Sequence, residues 1–212
     1  GVYKAREISL EGDASEVVPA LDFLTASNRK GLGDSVEAFD NGLLNAKGKN
    51  VVVIGGGDTA MDCVRTAIRQ EAKSVKCLYR RDKENMPGSA REVNNAEEEG
   101  VEFLWQSLPK KIESDNSGNL LNCIKMKLSE PDPDGRRTPQ EIAGSDFEIE
   151  SDLVIAALGF SPENLPRMFE VEELPVTKWG TVRVGFNTMM TSLEGVFAAG
   201  DIVRGASLVV WG

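Results

Sequence analysis

Histidine is absent from all 212 residues, which removes the commonest general base and the commonest metal ligand. Cysteine occurs only three times, at Cys63, Cys77 and Cys123, and never as C-x-x-C. Neither a redox-active disulfide nor a zinc or iron–sulfur cluster can be assembled from that spacing, so no metal site is expected. Cys63 and Cys77 fall within an expected helix and an expected strand and read as inert buried thiols. Long apolar runs are missing too: none approaches the roughly 20 residues of a membrane span, and no basic-then-apolar leader opens the chain. A cytoplasmic setting is expected. Positive charge is scarce, with 24 Lys and Arg against 34 Asp and Glu and a net charge of −10. That balance argues against nucleic acid or an anionic membrane as main partner, because a phosphate-binding face is basic overall. A hydrophobic content of 41% over this length allows one large domain, or one domain and part of another, with a real core. The chain opens on Gly1 rather than Met and stops within the apolar run Val209-Val210-Trp211, and it is expected to be an excised piece of a longer protein.

What is present is concentrated between Val51 and Arg81. Val51-Val52-Val53-Ile54 is a short β-branched run of the kind buried on both faces of a parallel sheet. Gly55-x-Gly57-x-x-Ala60 follows at once and matches the G-x-G-x-x-G/A fingerprint: a tight turn, a close backbone approach to a diphosphate, and a small residue for helix packing. Ala60, Met61, Val64, Ala67 and Ile68 then line one face of a helix at 3.6-residue spacing. The free N–H groups and positive dipole end of that helix, at Gly57 to Ala60, suit an anionic diphosphate. Asp58 is out of character beside a diphosphate and is read as a helix-start carboxylate bonding a backbone N–H. A second strand, Val75 to Tyr79, ends in Arg80-Arg81. An acid at that place would bond the ribose hydroxyls of NAD, whereas two guanidiniums clamp a 2′-phosphate, so the pattern favours NADP(H).

Around this centre the chain is read in order. Gly1 to Leu10 is an extended connector, Val17 to Leu24 a short helix, and Ser27 to Asn45 a loop with a helical turn at Val36 to Phe39. Ser89 and Glu92 form a capping box for a helix running to about Glu99, stopped by Gly100. Val101 to Trp105 is the third strand, giving β-α-β-α-β, half of a doubly wound sheet. Lys111 to Glu113, Leu121 to Leu128 and Phe147 to Glu150 read as an antiparallel meander with a solvated tip at residues 131–137. Asp152 to Gly159 is another buried strand. Ser161 to Thr177 reads as loop with a helical turn, and Gly180 to Val184 and Val196 to Ala199 as further strands. Asp201, after a strand and Gly200, is placed to hold a sugar or polyol hydroxyl.

GKNVVVIGGGDTAMDC, LYRRDKENMPGSAREV, SDLVIAALGF and GVFAAGDIVRGASLVVW together resemble the small subunits of NADPH-dependent glutamate synthases, within a wider family of flavoproteins with two dinucleotide-binding domains. The resemblance covers nearly the whole chain. It implies an α/β fold: a Rossmann-like three-layer dinucleotide-binding domain with a parallel sheet plus an antiparallel β-meander, flanked by part of an FAD-binding domain. The implied division is residues 1–19 as connector, 20–155 as NADPH-binding domain and 156–212 as partial FAD-binding domain. By the same resemblance Gly55, Gly56, Gly57, Asp58, Thr59 and Ala60 form the diphosphate loop, Arg80 and Arg81 hold the 2′-phosphate, and Glu92 reaches the adenosine ribose. Ala157, Leu158, Gly159 and Phe160 form a crossing strand by the nicotinamide. Gly200 and Asp201 match the second FAD motif, and the segment from Arg204, including Ser207, Leu208 and Val209, lies along the flavin. The family's FAD glycine fingerprint and its cluster-bearing amino-terminal region are absent, so only part of the FAD site is expected.

The implied chemistry is hydride transfer from NADPH to FAD, with electrons passing through iron–sulfur clusters to a large subunit that makes glutamate. Since the cofactors carry that reaction, no catalytic side chain is assigned. The expected partners are the remainder of the chain's own FAD and iron–sulfur domains and the large subunit. Two rivals are a nucleotide-binding module without turnover, and a self-sufficient NADP-dependent dehydrogenase. Without His, the latter would need a general acid from Tyr3, Tyr79 or a Lys. A close relative feeding electrons to another acceptor has the same motifs.

Overall fold

The structure, a computed structural model, describes residues 1–115, 118–132 and 137–206. Two compact units divide the chain: Glu7–Leu158, and Gly1–Arg6 together with Gly159–Gly212. The strands are β1 (Lys4–Ala5), β2 (Glu11–Gly12), β3 (Val17–Pro19), β4 (Asn50–Ile54), β5 (Ser74–Tyr79), β6 (Glu102–Trp105), β7 (Ser107–Asp115), β8 (Gly118–Leu128), β9 (Pro139–Ser151), β10 (Leu153–Ala156) and β11 (Phe160–Ser161). The α-helices are α1 (Ala20–Gly31), α2 (Glu37–Asp40), α3 (Asp58–Arg69), α4 (Ala90–Glu98), α5 (Leu165–Met168) and α6 (Asp201–Arg204).

The larger unit has three layers. A five-stranded sheet in the order β3-β10-β4-β5-β6, parallel throughout, forms the middle. Because side chains alternate along a strand, β4 feeds two cores. Val51 and Val53 pack with Phe23 of α1, Met61 and Val64 of α3, and Val93 of α4. Val52 and Ile54 point the other way, against Ile112, Leu121 and Ile149 of a second sheet, ordered β2-β7-β8-β9. Each buried aliphatic side chain contributes about 1.5–3 kcal/mol, and Val51 to Ile54 are buried without exception. The chain leaves β4 through α3 toward β5 and β6 and returns much later as β10 on the opposite side of β4. The carboxyl ends of β4 and β10 therefore flank the point where the strand order reverses, the place at which such sheets bind ligands.

The expected meander is present and larger than read, since β8 and β9 extend through register shifts between Ile124 and Met126. Part of its tip, residues 133–136, lies outside the described residues. The expected helix at Val17 to Leu24 is corrected. Val17–Pro19 pairs with β10 as an edge strand, where Pro19 needs no ladder donor, and the helix starts at Ala20 and continues to Gly31. That helix also takes in the beginning of the expected Ser27 to Asn45 loop.

In the smaller unit β1 pairs antiparallel with β11. The strands expected at Gly180 to Val184 and Val196 to Ala199 are single bridges, Val176 to Val182 and Met190 to Phe197. Among the described residues no helix is long and apolar enough to cross a membrane.

Candidate dinucleotide site

The register of β4 and β5 sets the geometry. Ile54 stands opposite Leu78, so the glycine turn that follows β4 lies beside Tyr79 and the arginines that follow β5. Gly55 donates its N–H to the Leu78 carbonyl at 3.0 Å and has φ +150. A Cβ there would lie 2.2 Å from the Ala157 carbonyl oxygen, and one on Gly56 would lie 2.5 Å from the Tyr79 ring. The protein itself thus demands the first two glycines. Gly57 differs: its φ is −90 and a Cβ on it would meet nothing within 4 Å. The absent side chain leaves open space directly at the start of α3. There the N–H groups of Asp58 and Thr59 have no acceptor one turn back. Ala60, fully buried, lets the helix pack closely.

A segment of the chain closes over this loop. Gly88 donates to the Gly56 carbonyl at 2.8 Å, and Ser89, which precedes α4, donates its backbone N–H to Asp58 Oδ1 at 2.8 Å. The helix-start role read for Asp58 is corrected: α3 has no side-chain cap bond, and the Asp58 carboxylate instead accepts from the residue preceding α4. The capping box is corrected: Ser89 makes no side-chain cap bond, and Glu92 pairs with Arg65 of α3 instead. Arg65 also holds Glu99 at 2.7 Å, and Arg69 reaches the same carboxylate at 3.2 Å, so α3 and α4 are tied along one side. Partial burial pushes the Asp62 carboxyl above its usual range, and Asp58 and Glu92 add to this against Arg65.

Arg80 and Arg81 form no ion pair among the described residues. Nε of Arg81 is buried without a hydrogen-bond partner, while its carbonyl accepts the Gln106 N–H at 2.9 Å. In a chain of net charge −10, two adjacent unpaired guanidiniums beside an open glycine turn form a strong local attractor for anions. Tyr79 stands edge-on to Trp105 with ring centroids 6.4 Å apart and donates its hydroxyl to the Asn85 carbonyl at 2.9 Å. Burial raises its phenol, opposed by Arg81 and Arg80. Tyr79 and Lys83 stand at Tyr-x-x-x-Lys spacing, but Lys83 is engaged by Glu97 at 2.7 Å. Among the described residues the two side chains make no hydrogen bond with each other.

Among the other expected residues, Ala157 backs Gly55 and Leu158 packs on the second core. Gly159 and Phe160 belong to the smaller unit, where Gly159 accepts from the Arg6 N–H at 3.0 Å and Phe160 pairs with Ala5. Gly200 has φ +77 ahead of α6, which starts at Asp201. Ser207, Leu208 and Val209 lie outside the described residues. Gly88 and Ser89 were missed as parts of the loop's surround, since nothing local marks a glycine needed against a carbonyl 32 positions away. All three cysteines are free and buried, with the thiols of Cys77 and Cys123 pushed up to about 12 by burial. Among the described residues no cluster could hold a metal ion. A separate cavity of about 590 Å³ lies at the other end of β4, by Asn50, and carries Glu113, Glu150 and Asp152. That lining repels phosphate.

A parallel sheet with a glycine turn at its switch point and a cation pair after the next strand defines a dinucleotide-binding α/β protein. More narrowly, the chain belongs to the pyridine nucleotide-disulphide oxidoreductase family, which it matches over residues 5–211. It is similar to the glutamate synthase (NADPH) small chain of Azospirillum brasilense, at 61% identity over all of this chain and 44% of that one. It is also similar to the glutamate synthase (NADPH) small chain of Escherichia coli K12, at 44% identity over 99% of this chain and 45% of that one. The chain thus spans less than half the length of these two relatives. Its fold is similar to that of FprA from Mycobacterium tuberculosis in complex with NADPH, with a TM-score of 0.72 at 15% identity, covering 99% of this chain and 58% of that one.

Proposed function

We propose that this chain is the NADPH-binding part of a flavin-dependent oxidoreductase of the glutamate synthase small-chain type. One observation carries the reading: adjacent parallel strands present, at the same sheet edge, an open glycine turn and two arginines without ion pairs among the described residues. The residues fit the cofactor, since a Cβ at Gly57 would fill the space a diphosphate needs. In this reading Gly55 to Ala60 hold the diphosphate with backbone N–H groups, and Arg80 with Arg81 holds the 2′-phosphate. Glu92 reaches the ribose only by exchanging its bond to Arg65. When bound, NADPH supplies hydride that a flavin accepts. The chain's own residues bind and orient, and none need move a proton.

The proposal extends to the rest of the chain. Residues 20–155, together with the strands at Glu11–Gly12 and Val17–Pro19 that pair into its two sheets, make the nucleotide domain, and 156–212 form part of an FAD domain in which Gly200 and Asp201 face the flavin's polyol. Electrons pass onward to a large subunit for glutamate synthesis, in the cytoplasm. Taken alone, the chain binds nucleotide without turnover, because it carries one glycine fingerprint and the second dinucleotide needs another.

The test is a calorimetric titration with NADPH and NADH beside a visible spectrum. Tight NADPH binding, weak NADH binding and a colourless protein are expected. Failure to bind either nucleotide overturns the reading.

A further inference from the structure

We infer that Asp58 is a positioning residue: its bond to Ser89 latches residues 82–89 onto the glycine turn and thereby sets the discrimination of NADPH from NADH. The inference rests on the NADPH reading above. Residues 82–89 begin at the arginine pair and end at α4. They are fastened at the near end by Gln106 N–H on the Arg81 carbonyl, 2.9 Å, and at mid-length by the Tyr79 hydroxyl on the Asn85 carbonyl, 2.9 Å. At the far end two bonds meet the glycine turn: Gly88 to Gly56, 2.8 Å, and Ser89 to Asp58, 2.8 Å. With both ends tied, the spacing between diphosphate turn and arginine pair is fixed before any ligand arrives.

NADPH must satisfy both places at once, whereas NADH engages only the first. Loosening the segment therefore costs NADPH the preorganisation of its second contact and leaves NADH unaffected by that term. The geometry also accounts for a carboxylate beside a diphosphate. Asp58 is the first residue of α3 and accepts from the residue preceding α4, so its charge lies between two helix N-termini, each a partial positive charge.

The experiment measures dissociation constants for NADPH and NADH in four variants of the 212-residue chain. Asp58→Ala is expected to lower the NADPH-over-NADH preference about fivefold. Asp58→Asn keeps an acceptor oxygen and is expected to restore the preference. Gly88→Ala leaves Asp58 intact but places a Cβ 3.0 Å from the Gly56 carbonyl; it is expected to reproduce the loss and covers the case in which Asp58→Ala fails to fold. Parallel changes for both nucleotides in Asp58→Ala and Gly88→Ala overturn the latch. Arg80→Ala with Arg81→Ala separates the two levels: if that variant keeps its preference, the NADPH reading itself has failed, and if it loses its preference while the latch variants do not, only the latch has.

Discussion

Replacing Arg80 and Arg81 together by Ala perturbs the proposed 2′-phosphate contact and breaks no ion pair among the described residues. The magnitude follows from their surroundings. Arg81 is half-buried with a buried, unpartnered Nε, so its charge-assisted bonds to a phosphate are worth about 2–3 kcal/mol. Arg80 is exposed, and solvent screening reduces its share to about 0.5 kcal/mol. Together they predict a loss of about 3 kcal/mol, on the order of a hundredfold in NADPH affinity. NADH, without the phosphate, is expected to change by no more than about twofold, the single Arg81→Ala to account for most of the loss, and the NADPH loss to shrink as salt is added. Isothermal titration of wild type, both single variants and the double variant supplies every number. Equal losses for both nucleotides, or a larger loss from Arg80→Ala than from Arg81→Ala, would refute the reasoning.

Three further outcomes are expected. Gly55→Ala forces a side chain onto φ +150 and against the Ala157 carbonyl, so it should cost about 3 kcal/mol of stability; Gly57→Ala should melt like wild type yet bind NADPH at least about tenfold more weakly, because only the ligand needs that space. Asp62, whose carboxyl is raised above its ordinary value of 3.8, holds its proton more tightly folded than unfolded. Its penalty is absent below that ordinary value and grows as pH rises through the folded one. Because Asp62 is exposed and solvent screens its neighbours, Asp62→Asn should raise the melting temperature only slightly at pH 7, with a gain that shrinks as pH falls toward 3.8; a gain independent of pH would count against this. The buried thiols of Cys77 and Cys123, titrating near 12, should resist alkylation at pH 8 in the native chain and all three cysteines should label in denaturant, whereas rapid native labelling would show that the core opens.

The glycine turn, α3 and the arginine pair were legible because each rests on a local pattern: a β-branched run, a triad, a 3.6-residue stripe and a charge pair where an acid is common. The NADP preference rests on that last substitution alone. Less local features were not legible. Val17-Val18-Pro19 is too short to declare itself a strand, and only its partner β10 makes it one. Helix α1 runs through Ser27 and Asn28 because Phe23 and Ala26 are buried, and that packing outweighs poor propensity. The capping box failed for a tertiary reason too, since Arg65 offers Glu92 a full charge where the cap offers a peptide dipole. Gly180 to Val184 has strand composition but forms a single bridge, between Val182 and Val176, among the described residues.

The position of β10 has a consequence for how the chain is made. The sheet's middle is completed by a strand that leaves the ribosome about a hundred residues after β4, roughly 5–20 seconds later at roughly 5–20 residues per second. Until then β4 offers one bare edge of unpaired amides, a template for pairing with any other extended chain. The α3, β5 and β6 segment can settle first, since its contacts are near in sequence, and the meander can close on itself as a hairpin stack. Docking Leu153 to Ala156 between Val17 and Val51 is then the late, long-range step that seals the nascent domain.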